Sequence, residues 1–278
     1  MQEAGEALDL VPTTDRYGVA LSNIAGCESC GHMQLERMPS EVELAGAYRI
    51  AESGDYIGEE AGQRATARRI LTKIEQYRPP GRLADLGCWV GFFLSEAARR
   101  GWATVGVEPS EFASDYARDQ LRLDVRTAGL FDAELGESSF DAVFMGDVLE
   151  HIPAADEALD RVRSLLTDDG VLALALPDAG SRIARMLGAR WWSVIPTHVH
   201  YFTRRSLATL LRRVDFEVLE ITTSPKVFTV DYYLGRLGGY KTRLGRGLTR
   251  AAAAIGLGGR LWAPDFRDRM LVIARRKR

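Results

Sequence analysis

A cluster of ionisable residues follows one apolar segment near the middle of the chain. The segment Phe140–Gly146 is typical of a buried strand, and Asp147, Glu150 and His151 come directly after it. If the backbone turns helically there, these three side chains lie on one face, at positions i, i+3 and i+4. Two carboxylates and an imidazole at this spacing can move a proton or bind a divalent cation.

Three interpretations of this cluster are open. In the first, His151 is a general base that takes the proton from an acceptor hydroxyl, and Glu150 orients its ring. In the second, Asp147, Glu150 and His151 bind a divalent cation that acidifies the acceptor hydroxyl. In the third, Glu150 and His151 only cap the end of the strand through bonds to backbone atoms.

A glycine-containing turn lies earlier in the chain, after a second apolar segment. Residues 83–86 predict a buried strand, and Gly87 and Gly91 lie in the turn before a predicted helix. Glycines let a backbone approach a ligand closely, and a helix N-terminus points unpaired N–H groups at it. The next predicted strand, 103–107, is followed by Glu108, a suitable acceptor for the hydroxyls of a ribose. The turn and Glu108 therefore predict a nucleotide-binding site.

The elements that carry these residues are expected to form an open parallel sheet. Ligands of such sheets bind beyond the carboxyl ends of the strands. The glycine turn, Glu108 and the 147–151 cluster should therefore face one crevice.

The glycine turn resembles the first motif of the class I S-adenosylmethionine-dependent methyltransferases, Asp-x-Gly-x-Gly-x-Gly. Asp85, Gly87 and Gly91 match this motif, whereas Trp89 replaces the middle glycine. The resemblance implies a doubly wound α/β fold with a mostly parallel seven-stranded sheet and an antiparallel C-terminal strand. It also implies a small N-terminal appendage.

The resemblance further implies which residues contact S-adenosylmethionine. These are Asp85, Gly87, Cys88, Gly91, Glu108, Leu130, Asp132, Met145 and Gly146. The backbone near Leu130 and the Asp132 carboxylate are expected at the adenine ring, although Asp132 could instead cap a local turn. The carbonyls of Met145 and Gly146 are expected at the ammonium group.

The Asp-x-x-Glu-His pattern at Asp147, Glu150 and His151 is similar to that of two groups of methyltransferases. The ubiquinone-biosynthesis O-methyltransferases and the small-RNA 2′-O-methyltransferases hold a metal there. His198 lies five residues before Thr203, the predicted cap of the next helix, where the small-RNA enzymes place a metal-binding histidine. His198 is therefore the implied partner of Glu150 and His151, as a fourth metal ligand or an alternative base, unless it only bonds to backbone.

Residues 1–58 are expected to form the N-terminal appendage. A Cys-x-x-Cys-Gly turn at Cys27 and Cys30, followed by His32, corresponds to one half of a zinc ribbon without its second half. The resemblance is to the sugar and secondary-metabolite subgroup, and it implies a zinc-ribbon remnant. A metal-free turn is favoured over zinc at these residues. A lid over the cofactor is also implied, in which Tyr48 or Tyr56 contacts the substrate or the cofactor.

Residues 59–278 are expected to form the methyltransferase domain, with a basic insertion at 232–264 between its last two strands. The insertion contains no acidic residue, and its basic residues are Arg236, Lys241, Arg243, Arg246, Arg250 and Arg260. Such local charge favours an anionic group, for example the diphosphate of a nucleotide-sugar, a carrier-protein phosphopantetheine or a lipid headgroup. A solvated helix pair or a homodimer contact is the alternative.

Composition limits the class of protein. The 278 residues have a formal net charge of -2, with 46% hydrophobic and 27% charged residues, as in one large α/β domain with appendages. This charge provides no overall attraction to nucleic acid or anionic membranes. We identify no signal peptide and no apolar run of about 18 residues, the length of a membrane-spanning helix. With three cysteines and no disulfide framework, the expected location is the cytoplasm.

These features predict a transferase that moves a methyl group from S-adenosylmethionine to a small polar acceptor. The acceptor atom is expected to be a hydroxyl oxygen, less readily a nitrogen or carbon, of a sugar, a nucleotide-sugar or another secondary metabolite. Two alternatives remain. One is an RNA 2′-O-methyltransferase, which the net charge disfavours. The other is a cofactor-binding module without catalysis, in which Trp89 disrupts the glycine turn.

Overall fold

The computed structural model of the protein describes residues 18–49, 57–237, 242–254 and 256–277. The strands in these ranges are β1 (Ile24–Gly26), β2 (Met33–Leu35), β3 (Arg82–Leu86), β4 (Ala103–Glu108), β5 (Val125–Thr127), β6 (Phe140–Gly146), β7 (Leu166–Pro177), β8 (His200–Tyr201), β9 (Phe216–Thr223), β10 (Phe228–Thr229), β11 (Leu261–Trp262) and β12 (Arg269–Arg276).

The α-helices in the same ranges are α1 (Glu41–Arg49), α2 (Glu60–Ile74), α3 (Phe92–Arg99), α4 (Glu111–Asp119), α5 (Ala155–Leu165), α6 (Arg182–Leu187), α7 (Arg204–Arg213), α8 (Val230–Leu237) and α9 (Thr242–Ala254). Short 3₁₀ helices at Leu149–His151 and Gly188–Arg190 connect some of them.

The main sheet has seven strands in the order β5-β4-β3-β6-β7-β12-β9. Neighbouring strands from β5 to β7 are parallel, whereas β12 pairs antiparallel with both β7 and β9. The predicted fold is therefore confirmed, including its antiparallel C-terminal strand. Because β3, β4 and β6 are parallel, the glycine turn, Glu108 and Asp147 all lie at the same edge of the sheet.

Strand β7 shows how the core is divided between the two faces of the sheet. Successive strand residues point to opposite faces, so Leu172 and Leu174 belong to one buried cluster and Ala173 and Ala175 to the other. The first cluster includes residues of α5 and α7, and the second includes residues of α2 and α3. Coverage on both faces explains the continuous apolar sequence of this strand.

Local signals predict several elements closely. The i, i+3, i+4, i+7 spacing of Ala67, Ile70, Leu71 and Ile74 predicts a helix over residues 59–77, and all four are buried in α2. Ser110 caps α4, because its side chain accepts a hydrogen bond from the Ala113 N–H at 3.1 Å. Thr203 caps α7 in a reciprocal capping box with Ser206.

Two predicted boundaries differ from the structure. The sequence after the glycine turn predicts a helix at 95–100, but the helix begins at Phe92, because Gly91 adopts a left-handed conformation (φ 82°) and occupies its N-cap. Asp169 and Gly170 predict a turn, and the apolar residues 171–176 predict a strand that starts after it. In the structure this strand begins at Leu166, which pairs with Phe140 before a register shift in the β6–β7 ladder, so residues 169–170 lie within an irregular part of the strand.

The N-terminal segment joins the rest of the protein through a second sheet, in the order β1-β2-β8. Met33 and Gln34 of β2 pair with Tyr201 and His200 of β8. The appendage proposed at residues 1–58 therefore shares backbone hydrogen bonds with the proposed 59–278 domain. Residues 1–17 and Tyr56 lie outside the described residues.

The segment predicted as a basic insertion contains α8, α9 and β11, and β11 pairs antiparallel with β10. Arg236 lies over the Tyr232 ring, with its guanidinium carbon 5.1 Å from the ring centroid. Lys241 and the side chains of Arg243 and Arg246 lie outside the part that the structure describes. None of the helices in the described ranges is long and apolar enough to span a membrane.

Gly62 of α2 marks a close approach between this helix and the backbone before β10. A Cβ atom at Gly62 would lie 2.3 Å from the Val227 carbonyl oxygen and 3.0 Å from Phe228 Cα. We expect Gly62→Ala to lower the free energy of unfolding by about 1–3 kcal/mol, because backbone must move to admit the methyl group. Urea denaturation measures this change.

Gly46 of α1 provides the matched control for this substitution. Among the described residues, no atom lies within 4 Å of a Cβ atom built there, and the residue is exposed. Gly46→Ala should be neutral or stabilising by up to about 1 kcal/mol, because alanine has the higher helix propensity. Equal effects of the two substitutions would contradict a steric role for Gly62.

Candidate active site

The glycine turn between β3 and α3 passes close to the segment that follows β6. Gly87 has φ 79°, and a Cβ atom there would lie 2.4 Å from Val148 Cγ2. A side chain at this position is therefore excluded on both conformational and steric grounds. The turn is thus packed directly against the segment that carries the ionisable cluster.

Trp89 lies in the same turn with φ 48°, which is unusual for a residue other than glycine. Its side chain packs against the buried cluster of Val90, Phe92 and Ala113. The indole Nε1 is buried and has no hydrogen-bond partner among the described residues. The Trp89 backbone N–H donates to Glu108 Oε2 at 2.8 Å, so the turn is tied to the end of β4.

Glu108 is buried, with 3% of its surface exposed, at the end of β4. Its Oε2 accepts from Trp89, and its Oε1 accepts from the Ser110 N–H at 2.9 Å. Burial raises the pKa of Glu108 to about 7, although the two N–H donors act in the opposite direction. Each carboxylate oxygen retains a second lone pair, which fits the hydroxyls of a ribose.

Asp85 and Cys88 flank Gly87 and are both buried. Burial and then the charge of Glu108 raise the pKa of Asp85. The Cys88 thiol belongs to the core, where a Cβ atom at Gly106 would lie 2.7 Å from its Sγ. A contact between Cys88 and a cofactor would therefore involve its backbone.

The remaining residues predicted to contact the cofactor follow β5 and end β6. Leu130 is partly buried against the core, whereas Asp132 is exposed in the turn after β5. Met145 is buried, and Gly146 pairs with Ala175 of β7 at the carboxyl end of β6. These residues, the glycine turn and Glu108 all lie at the carboxyl ends of parallel strands, as expected for the cleft of such a fold.

The segment after β6 does not form the α-helical turn expected from the sequence. Asp147 has φ 56°, and Leu149–His151 form a 3₁₀ helix. The Asp147 carboxylate makes ion pairs with Lys226 and Arg269. Burial alone would raise the pKa of Asp147, but the charges of Arg269 and Lys226 hold it well below its usual range.

Three of the predicted residues do come together. One possible ligand atom from each of Glu150, His151 and His198 lies within 4.8 Å of the others. Asp147 is not part of this group. Of the four residues expected to act together, Glu150, His151 and His198 thus form one group. The Asp147 carboxylate instead pairs with Lys226 and Arg269.

The protonation of His151 is decided by its neighbours. Its Nδ1 lies 2.8 Å from the Thr197 carbonyl oxygen and 2.7 Å from the Tyr48 hydroxyl. Because a carbonyl can only accept, Nδ1 carries the hydrogen and Nε2 carries the free lone pair. Burial lowers the pKa of His151 to about 4, so its imidazole is neutral at pH 7.

His198 is oriented in the same way. Its Nδ1 lies 2.7 Å from the Ser193 carbonyl oxygen, and its ring is edge-on to that of His151 with the centroids 4.5 Å apart. Burial and then the neighbouring His151 lower the pKa of His198. Both Nε2 atoms therefore offer lone pairs. The alternative interpretation, that these histidines bond to backbone, holds for the Nδ1 atom of each ring. It leaves the Nε2 atom of each ring available.

Glu150 completes the group as a carboxyl group buried without a partner. Only 1% of its surface is exposed, and neither oxygen has a hydrogen-bond partner within the described residues. Burial and then the charge of Asp147 raise the pKa of Glu150 to about 8. A buried polar group without a partner is costly, so this position fits contact with a bound substrate or ion.

The donor set is compatible with a divalent cation. Two imidazole nitrogens and one carboxylate oxygen suit zinc, manganese or iron better than magnesium, which prefers oxygen ligands and water. Carbonyl partners on both Nδ1 atoms are also the usual support of metal-binding histidines.

The Cys-x-x-Cys-Gly turn is present, but His32 points elsewhere. Cys27 is exposed and Cys30 is partly exposed, whereas His32 Nε2 lies 3.2 Å from His200 Nδ1. Among the described residues, Cys27 and Cys30 do not form a group of three possible metal ligands. The His32 Nε2 atom contacts His200.

Sequence reasoning missed the residues that hold the cluster in place. Lys226 and Arg269 carry no motif, and they approach Asp147 only because the β9–β10 connection and the start of β12 lie at the same edge of the sheet as the carboxyl end of β6. The carbonyls of Ser193 and Thr197 belong to an ordinary loop. No local signal could have identified any of the four.

The chain is similar to two methyltransferases. Malonyl-[acyl-carrier protein] O-methyltransferase of Geobacter sulfurreducens is 28% identical over 224 residues, which cover 75% of this chain and 82% of that protein. C-methyltransferase NovU of Streptomyces niveus is 26% identical over 212 residues. That match covers 73% of this chain and 48% of NovU, so the chain spans about half the length of NovU.

A solved structure shows the same fold. The 1,6-didemethyltoxoflavin-N1-methyltransferase of Burkholderia thailandensis, with bound S-adenosylhomocysteine, has a TM-score of 0.54 at 17% identity. The match covers 92% of this chain and 100% of that chain.

The family itself is shown by a match to a family model. Residues 59–221, more than half of the chain, match the family described as methyltransferase domain. This range contains the glycine turn, Glu108 and the Glu150–His151–His198 group. The chain therefore belongs to this methyltransferase family, among the class I S-adenosylmethionine-dependent methyltransferases.

Proposed function

We propose that this enzyme methylates a hydroxyl oxygen of a small polar acceptor, such as a sugar, a nucleotide-sugar or another secondary metabolite. The observation that carries the proposal is the state of His151. Its ring is neutral, its Nδ1–H is held by the Thr197 carbonyl, and its Nε2 lone pair is available. A hydroxyl needs such a group to receive its proton, whereas a neutral amine can react before it loses one.

The residues at the edge of the sheet fit S-adenosylmethionine. In this proposal Glu108 accepts the ribose hydroxyls, Leu130 and Asp132 hold the adenine, and the carbonyls of Met145 and Gly146 hold the ammonium group. The remaining contacts come from the glycine turn, through Asp85, Gly87, Cys88 and Gly91. When bound, the cofactor supplies a methyl group that is already activated by a positively charged sulfur.

The protein then has two tasks, alignment and proton removal. Alignment of acceptor and methyl group can contribute about 7–11 kcal/mol of the reduction in the barrier. His151 Nε2 accepts the hydroxyl proton, while the Thr197 carbonyl and the Tyr48 hydroxyl keep the ring in place. Burial raises the pKa of Glu150 to about 8, so this carboxyl group stabilises the imidazolium that results only at alkaline pH, where it is ionised. His198 is the alternative base, because its Nε2 is equally available.

A divalent cation at Glu150, His151 and His198 is the second candidate for proton removal. The observation that favours it is the Glu150 carboxyl group, which is buried without a partner beside two imidazoles. A cation there would lower the pKa of an acceptor hydroxyl. Asp147, already paired with two cations, would contribute charge and not a ligand.

Removal of metal ions distinguishes these two routes. We expect methyl transfer to persist after dialysis against a chelator, because His151 can accept the proton without a metal. The assay follows S-adenosylhomocysteine release with a panel of nucleotide-sugars and other hydroxylated metabolites. Loss of activity on dialysis, with recovery on addition of Mn²⁺ and no recovery in His198→Ala, would establish the cation route instead.

Other assignments are tested by the same assay. A C-methyltransferase is among the relatives, so the position of a ¹³C-labelled methyl group in the product separates transfer to oxygen from transfer to carbon or nitrogen. Methylation of RNA 2′-hydroxyls would appear with an RNA substrate. Failure to bind S-adenosylmethionine at millimolar concentration would leave a non-catalytic module.

The acceptor in this proposal carries an anionic group. Arg236, Arg250 and Arg260 of the insertion supply positive charge for a phosphate-bearing acceptor. The insertion is also our candidate for a homodimer contact. Light scattering with and without acceptor distinguishes acceptor binding from dimer formation. Cytoplasmic location belongs to the same proposal.

A further inference from the structure

A second pair of histidines lies next to the 3₁₀ turn that carries Glu150 and His151. His200 Nε2 lies 3.1 Å from the Pro153 carbonyl oxygen, and His200 Nδ1 lies 3.2 Å from His32 Nε2. Because the carbonyl only accepts, His200 carries its hydrogen on Nε2, and its Nδ1 accepts from the His32 N–H. Two hydrogen bonds thus run in one direction, from His32 to His200 and from His200 to the Pro153 carbonyl.

We call residues 149–153 the catalytic turn. A loop, residues 197–200, holds it at three points along its length. The three hydrogen bonds are Val199 N–H to the Glu150 carbonyl at 2.9 Å, His151 Nδ1–H to the Thr197 carbonyl at 2.8 Å, and His200 Nε2–H to the Pro153 carbonyl at 3.1 Å. The bond from His200 reaches Pro153, the last residue of the turn.

The N-terminal segment in turn holds this loop. The Leu35 N–H donates to the Val199 carbonyl at 3.0 Å, and Gln34 of β2 pairs with His200 of β8. His32 immediately precedes β2, so the same strand pairing places its ring beside that of His200. The register of β2 therefore decides where both histidines lie.

The Cys-x-x-Cys-Gly turn sets the start of β2. The Gly31 N–H donates to the Cys27 carbonyl at 2.8 Å, and the Cys27 N–H donates to the His32 carbonyl at 2.7 Å. Gly31 has φ 74°, a conformation that favours glycine. Phe202 packs against both histidine rings, with centroids 4.9 Å from His32 and 5.4 Å from His200.

We infer that His200, held by His32, is a positioning residue for methyl transfer. It fixes the catalytic turn so that the Nδ1–H of His151 meets the Thr197 carbonyl and its Nε2 faces the cleft. The Cys-x-x-Cys-Gly-His segment then has a role without zinc, because it places His32. The inference rests on the proposed function of His151 as the group that receives the proton.

The test reads the hydrogen position on His151 directly. Protein with ¹⁵N-labelled histidine is saturated with S-adenosylhomocysteine, and the ring nitrogens are observed by NMR, with His151 assigned through a His151→Gln variant. We expect one Nδ1–H tautomer for His151 in the native protein. In His200→Phe, which keeps a ring but no donor, we expect mixed-tautomer signals for His151. His200→Gln, whose amide can donate to Pro153, should restore the native signals.

A matched control separates positioning from general loss of stability. Ser206→Ala removes one of the two bonds of the α7 capping box, from the Thr203 N–H to the Ser206 hydroxyl, at a cost of about 1 kcal/mol. In the described structure the hydrogen bonds of the Ser206 side chain are to Thr203. The His151 signals of this variant should remain native. If His200→Phe does not fold, His32→Phe replaces it, because it keeps a ring but removes the donor to His200 Nδ1 while leaving the bond to Pro153 intact, and it should shift the His151 signals partially.

Native His151 signals in a folded His200→Phe or His32→Phe variant would overturn the inference. A native protein that does not bind S-adenosylhomocysteine would be a different result from either of these. It would count against the proposed function and would be detected by calorimetry before any variant is made.

Discussion

A His151→Phe variant is expected to lose about 10²- to 10⁴-fold in the rate of methyl transfer, the usual contribution of general acid–base catalysis. Phenylalanine retains an aromatic ring of similar size but removes the Nε2 lone pair that receives the proton. The rate of S-adenosylhomocysteine release under saturating cofactor measures the effect. A loss of this size would identify the His151 imidazole as the group that receives the proton.

The cofactor should bind this variant normally, because His151 belongs to the part of the cleft where the acceptor is expected. Calorimetry with S-adenosylhomocysteine should give a dissociation constant within about threefold of the native value, a difference of about 0.7 kcal/mol. A parallel loss of affinity and rate would show that the substitution damaged the cleft as a whole. An unchanged rate would contradict the proposed role of His151.

His198→Phe is the informative comparison. His198 resembles His151 in burial, in its Nδ1 bond to a carbonyl and in the direction of its pKa shift. If His151 is the base, the His198 variant retains most of the activity. If His198 is the base instead, the His198 variant loses activity and the His151 variant retains most of it. If both belong to a cation site, both lose activity together.

A Glu108→Gln variant is expected to bind S-adenosylhomocysteine about 10- to 100-fold more weakly than the native protein. A hydrogen bond to a charged group contributes about 1.5–3 kcal/mol, which corresponds to that factor. The glutamine amide also presents an NH₂ group to one of the two backbone N–H donors, from Trp89 and Ser110, that the carboxylate accepts. Calorimetry measures the change.

Glu111→Gln is the matched control, because Glu111 lies in the first turn of α4 with an exposed side chain. The same chemical change there should leave the affinity within about twofold, a difference of about 0.4 kcal/mol. Equal losses in both variants would point to the overall charge and not to a ribose contact. No loss in Glu108→Gln would remove Glu108 from the proposed cofactor site.

The affinity should also depend on pH in a defined direction. Burial raises the pKa of Glu108 to about 7, so the carboxylate form increases as the pH rises from 6 to 8. S-adenosylhomocysteine should therefore bind more tightly at pH 8 than at pH 6, and this difference should disappear in Glu108→Gln. In the free protein the raised pKa has the opposite consequence for stability. Glu108 favours the folded state below about pH 4.5, and this contribution is lost as the pH rises through about 7.

The sequence by itself determined the features that depend on near neighbours. The alternation and apolar runs of the strands, the 3.6-residue pattern of α2 and the caps at Ser110 and Thr203 all follow from contacts within a few residues. Resemblance to a family added the mostly parallel seven-stranded sheet and its antiparallel C-terminal strand. The location of the candidate site was predictable for the same reason, because parallel strands bring their carboxyl ends together.

The division of the ionisable cluster was decided by tertiary structure. An i, i+3, i+4 spacing predicts one face only if the backbone is α-helical, and here Asp147 is left-handed before a 3₁₀ turn. Its partner Arg269 lies 122 residues away in sequence. Local spacing cannot reveal such a partner, so Asp147 could not be separated from Glu150 and His151 in advance.

The state of each histidine was likewise decided by groups that are distant in sequence. Tyr48 lies 103 residues from His151, and His32 lies 168 residues from His200. The sequence placed histidines near a strand end and beside a Cys-x-x-Cys turn, which is sufficient to suggest a base or a metal ligand. Which nitrogen carries the hydrogen depends on carbonyl groups that only the folded chain brings within about 3 Å, the length of a hydrogen bond.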